Sequence, residues 1–109
     1  MAYDESLAKR IDEIIKGKKN FTSKKMFSGV GYMYKGNMCV GIHKDELLIR
    51  FDPEISDEIN SNKNIKPFGI NKKPMKGWSL VNKEELKNDG LKKWFEFSFD
   101  YVKNLPPKK

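Results

Sequence analysis

The chain has 109 residues, 38% hydrophobic and 12% aromatic, and its 22 basic and 15 acidic side chains leave a net charge of +7. That length suits a single domain whose core needs no metal or disulfide staple, and the aromatic content argues against disorder. One cysteine, Cys39, and one histidine, His43, exclude an intramolecular disulfide and a zinc set drawn from one chain.

Of the basic residues only Arg10 and Arg50 are arginine. Positive charge favours an anionic partner, whereas planar two-pronged readout of bases and phosphates favours arginine over lysine. Asn and Ile are also frequent, so compositional bias accounts for much of the lysine, and the charge reads first as solvated surface. No segment has a signal-peptide core or the roughly 18 apolar residues of a membrane span. The expected location is cytoplasmic, with no membrane partner.

Residues 4–16 read as a helix, because Leu7, Ile11, Ile14 and Ile15 recur on one face, with Asp4 as cap and Gly17 as stop. From Lys24 to Asp52 the period changes to two. Met38, Val40 and Ile42 alternate with Cys39, Gly41 and His43, and Leu47, Ile49 and Phe51 with Leu48 and Arg50. Turns at Lys35-Gly36-Asn37 and Lys44-Asp45-Glu46 make this a meander of three or four antiparallel strands. Pro53 opens a short helix capped by Asp52, with Ile55 and Ile59 on one face. A strand near Phe68–Ile70, a basic loop from Asn71 to Gly77 and a last strand, Trp78–Val81, follow. Asn82 and Glu85 have capping-box spacing, and Asn88-Asp89-Gly90 marks a break. Leu91, Trp94, Phe95, Ser98, Val102 and Leu105 then form a helical stripe that Pro106-Pro107 ends.

The predicted sum is a two-layer α+β chain, with an antiparallel sheet of about five strands packed against N- and C-terminal helices. Its expected core is Leu7, Ile11, Ile14, Phe27, Val40, Ile42, Leu47, Ile49, Phe51, Leu80, Trp94, Phe95 and Val102.

Several of these blocks carry a family resemblance. Lys24-Lys25-Met26-Phe27-Ser28-Gly29-Val30-Gly31-Tyr32-Met33 resembles the opening of the sheet in the N-terminal domain of the TfoX family of bacterial competence regulators. Asn37-Met38-Cys39-Val40-Gly41-Ile42 and Leu47-Leu48-Ile49-Arg50 resemble its next two strands. Pro74-Met75-Lys76-Gly77-Trp78 resembles its turn into the last strand, and Leu105-Pro106-Pro107-Lys108-Lys109 its closing residues. Ser28 stands where the family often has glycine. The resemblance implies a two-layer α+β domain, here expected to stand alone without the regulators' second domain. It implies a regulatory role in DNA transformation and lends no catalytic residues.

Catalytic chemistry finds little support in the residues. Cys39 and His43, four apart on a strand, would face the same way but lie about 13 Å apart, too far for a nucleophile and its base. Gly29-Val30-Gly31 begins like a phosphate-binding fingerprint, but Tyr34 stands where a third glycine belongs and a strand follows, so the glycines serve a bend, a bulge or close backbone approach. The carboxylates sit on helix starts and solvated faces.

The candidate binding residues are therefore Lys25, Arg50, Lys73, Lys76 and Trp78, and no catalytic residue, metal or cofactor is expected. The leading expectation is a non-enzymatic regulatory or interaction module whose partner is another protein. The alternative is a ligand-binding protein or enzyme taking an anionic substrate on the basic loop 71–78. Nucleic acid is expected to bind at most weakly and without sequence preference. A homodimer is a further expectation, because Phe97, Phe99 and Tyr101 widen the last helix's apolar stripe and Cys39, Gly41 and Leu48 add to the second sheet face.

Overall fold

Asp4 begins the fold as the sequence predicts. Its carboxylate accepts hydrogen bonds from the amides of Ser6 and Leu7 at 2.8 and 3.3 Å, capping helix α1 (Glu5–Ile15). The structure, a computed structural model, describes residues 4–26, 29–70 and 73–106, without the side chains of residues 26, 69, 70 and 73–75. After α1 come β1 (Phe21–Met26), β2 (Gly29–Tyr34), β3 (Asn37–His43) and β4 (Glu46–Arg50). A 3-10 turn, Pro53–Ile55, leads into α2 (Ser56–Asn60), and β5 (Ile65–Ile70), β6 (Lys73–Val81) and α3 (Gly90–Val102) complete the chain.

The strands form one six-stranded antiparallel sheet in the order β1-β2-β3-β4-β6-β5. The strand beyond the expected five is β1, whose exposed Thr22, Ser23, Lys24 and Lys25 carry no alternating apolar signal. Lys35 and Gly36, at φ 51° and 86°, make the two-residue turn between β2 and β3, matching the right-handed twist of the strands they join.

The helices pack on one sheet face. Leu7 and Ile11 of α1 and Leu91, Trp94, Phe95 and Val102 of α3 enclose a core with Val30, Tyr32, Val40, Ile42, Leu47, Ile49, Phe51, Ile65 and Val81. Phe21, Tyr34, Phe95 and Phe99 extend it as a ring cluster with centroids 5.1 to 6.3 Å apart. Buried serines fix α2 and α3 to the sheet. Ser98 accepts the Arg50 amide at 3.1 Å, Ser56 accepts the Gly77 amide at 2.8 Å, and Ser79 donates to Asn60 at 2.6 Å. Gly29 lies under the Ile42 carbonyl, where a Cβ has no room. Close backbone approach thus accounts for the glycine that opens the phosphate-like fingerprint.

Several expectations need correction. α1 does stop at Gly17, just past its Lys16 C-cap, but the left-handed residue between α1 and β1 is Asn20, at φ 71°. Lys73–Gly77 is not a loop but the first half of β6, with Lys73 paired to Ile70 and Pro74 to Gly69. Its register slips between Pro67 and Gly69, so residues 75–78 bulge opposite Phe68. Asn82 caps its turn by accepting from Glu84, but Glu85 does not reciprocate. Glu85 instead accepts from Asn64 at 3.0 Å and from the Trp94 indole at 3.4 Å, which holds its carboxyl below the usual range, chiefly through Asn64.

Within the expected core, Ile14 is only half-buried and Leu80 is buried on the opposite sheet face. Phe27 lies outside the described residues. Alternation predicts Cys39 on the sheet face away from Val40, but Tyr32 pairs with Val40 and Met33 with Met38, leaving Cys39 as an extra residue in β3. The extra residue reverses the alternation and carries Cys39 into the helix-covered core, away from the His43 face.

Candidate contact site on the sheet face away from the helices

Alternation decides which side chains stand on the second face. Since Ile49 and Ser79 lie under the helices, Arg50 and Trp78, directly opposite each other on β4 and β6, point away from them, as do Leu48 and Leu80. The Arg50 guanidinium lies 5.1 Å from the centre of the Trp78 ring, a cation–π contact. On its other flank it reaches the Met38 carbonyl beside the β3 bulge, at a long 3.5 Å. Both side chains are half-buried.

Their backbones are fixed from behind. Ser98 holds the Arg50 amide, and the next amide, Phe51, donates to the Gly77 carbonyl at 2.9 Å. Gly77 has φ 87°, and a Cβ there would sit 2.9 Å from the Phe51 carbonyl, so only glycine fits without strain. The backbone entering Trp78 is therefore locked to β4 by Gly77 and to α2 by Ser56.

Around the pair the face is mainly apolar. The Met38 methyl lies 2.7 Å from where a Gly41 Cβ would stand, so Met38 folds over Gly41. Leu48 and Leu80 are 7% and 5% exposed. Phe68 of β5 meets the His43 ring of β3 edge-on at 6.1 Å, although β4 and β6 separate those strands in the sheet. Phe68 thus leans across the face toward β3. Glu46, a carboxylate on this face, is neutralised by Lys66 at 3.1 Å.

Of the five residues singled out from sequence, the structure brings together two, Arg50 and Trp78. Lys76 is exposed beside them on the bulge of β6. Lys73 lies at the start of β6, and its side chain is outside the described residues. Lys25 is elsewhere: β1 is the opposite sheet edge, and its pairing with Val30 puts Lys25 on the helix side. Met38 and Phe68 complete the surface and were missed; their signal was the position each takes once β3 bulges and β5 leans.

Other groups have structural work. Arg10 donates to the carbonyls of Leu86 and Asn88 at 2.8 and 3.0 Å, tying α1 to the turn before α3. The groove between α1 and α3, lined by Glu13, Ile14, Lys18, Lys92 and Glu96, carries two charges of each sign, with Lys18 and Glu96 paired at 3.5 Å. Burial, reinforced by Glu96, pushes the Cys39 thiol up to about 12 against the weaker pull of Arg50 and Lys18. Among the described residues no three His, Cys, Asp or Glu side chains converge as a metal site, and no helix is long and apolar enough to cross a membrane.

No curated relative and no solved structure matches the chain. A family model does: that of the TfoX N-terminal domain, over residues 13–101, from α1 through nearly all of α3. The chain belongs to the TfoX N-terminal domain family.

Proposed function

We propose that this chain is a non-enzymatic interaction module of the competence-regulator type, and that it meets a protein partner on the sheet face carrying Arg50 and Trp78. Family membership supports the regulatory half of this reading. The observation that carries the contact half is the Arg50–Trp78 pair itself, a half-buried cation stacked on an indole amid apolar side chains. Tryptophan and arginine are, with tyrosine, the residues enriched among the anchors of protein contacts, and each presents a flat group with polar donors at its edge. A non-enzymatic reading is supported by the carboxylates with defined partners, since Asp4 and Asp52 cap helices, Glu46, Glu84 and Asp100 pair with lysines and Glu85 accepts structural hydrogen bonds.

Affinity capture from the source cell, with and without nuclease, tests this. A protein retained through nuclease treatment at a constant ratio to the bait is the expected result. Capture abolished by nuclease would assign the role to nucleic acid instead.

A further inference from the structure

The charge balance of the second sheet face is unequal in one place. Glu46 and Lys66 satisfy each other there, but no carboxylate of the described residues lies within ion-pair reach of Arg50. A guanidinium offers five N–H donors, and the described residues engage Arg50 with one acceptor, the Met38 carbonyl at 3.5 Å. A half-buried arginine normally spends those donors on a carboxylate or on several carbonyls. Arg10, the other arginine, does so with two carbonyls. Arg50 is nevertheless held in place, by Trp78 on one side and by the Ser98 bond to its own amide. A cation that is oriented, partly desolvated and short of acceptors is prepared for an anion from outside.

We propose that Arg50 is the receptor for a carboxylate on an acidic segment of the partner protein, taken in two-pronged fashion while the segment's apolar side chains rest on Met38, Trp78 and Phe68. This rests on the reading that the face is the contact surface, and it adds the chemistry of the occupant. The apolar surroundings favour a protein segment over nucleic acid. A phosphate backbone needs a track of cations, and a base needs a free ring face, whereas one face of Trp78 is occupied by Arg50 itself. The carboxylate supplies the charge that this face lacks.

The probe is a glutamate-rich nonapeptide with leucine at alternate positions, compared with its glutamine counterpart by heteronuclear NMR titration of the full chain. The glutamate peptide is expected to shift the Trp78 indole and Arg50 side-chain resonances saturably, and the glutamine peptide to bind at least roughly tenfold more weakly. Arg50→Gln should cause the same loss. Arg50→Lys, which keeps the charge without the fork and serves if the glutamine variant folds poorly, should also weaken binding, whereas Lys25→Gln should leave it unchanged. Equal binding of both peptides on this face would overturn the carboxylate receptor while leaving the contact surface standing. Shifts from neither peptide, or equal loss from Lys25→Gln, would overturn the receptor too. Tighter displacement of the same resonances by duplex DNA would replace the acidic segment with nucleic acid.

Discussion

Arg50 is positioned by three elements at once: Ser98 of α3 on its amide, Trp78 of β6 against its guanidinium and the Met38 carbonyl of β3 beyond it. Such a contact contributes about 0.5–2 kcal/mol depending on desolvation, so its main effect is to orient the side chain. Gly77 matters more to the fold. Replacing it with Ala forces a Cβ into a left-handed backbone position against the Phe51 carbonyl. Urea denaturation should show a loss of about 1–3 kcal/mol for Gly77→Ala, and a wild-type midpoint would mean that the tight junction of β4 and β6 is not needed. Cys39 makes the opposite kind of prediction. Its thiol is fully buried and stays protonated well above the usual range, so a thiol reagent at pH 8 should modify it no faster than the chain opens. Modification at the rate of a free thiol would place Cys39 at the surface.

At the scale of elements, α3 is the spine of the helix layer. Phe95 and Ile49 are both fully buried, one from each layer, so Phe95→Ala or Ile49→Ala should cost about 2–5 kcal/mol by denaturation. A change within error of wild type would remove that residue from the core. Both residues were legible in the sequence because uninterrupted periods carry them: the 3.6-residue stripe from Leu91 to Val102 and the alternation from Leu47 to Phe51. Where a period breaks, the reading fails. The extra residue at Cys39 reverses the strand's parity without changing its composition. Lys73–Gly77 has the lysine, proline and glycine content of a loop, yet pairing with β5 makes its beginning a strand. The candidate site was half legible. Arg50 and Trp78 could be singled out by type, but their meeting depends on β6 inserting between β4 and β5, a crossover with no local sequence signal.

On the scale of the whole molecule, charge and edges limit what the domain can bind. Arg10 is occupied by carbonyls, and the lysines are spread over nearly every element. What remains for DNA is sequence-blind attraction to phosphates that falls steeply with salt. Titration of labelled duplexes at physiological ionic strength should show weak binding, equal for a chosen sequence and its scrambled control; submicromolar preference for one sequence would contradict this. The sheet edges are defended, β1 by Lys24 and Lys25 and β5 by Pro67, which discourages pairing between copies along either edge. Cys39, Gly41 and Leu48, the residues expected to leave the second face open to another copy, are all buried within one chain. The proposed contact surface is the rim of half-buried side chains around Arg50. Repeating the capture with Trp78→Ala and Lys25→Ala baits, each first matched to the original in denaturation midpoint, tests that claim most directly. The captured protein should be lost from the Trp78→Ala bait and retained by Lys25→Ala. Retention by the first and loss from the second would contradict it.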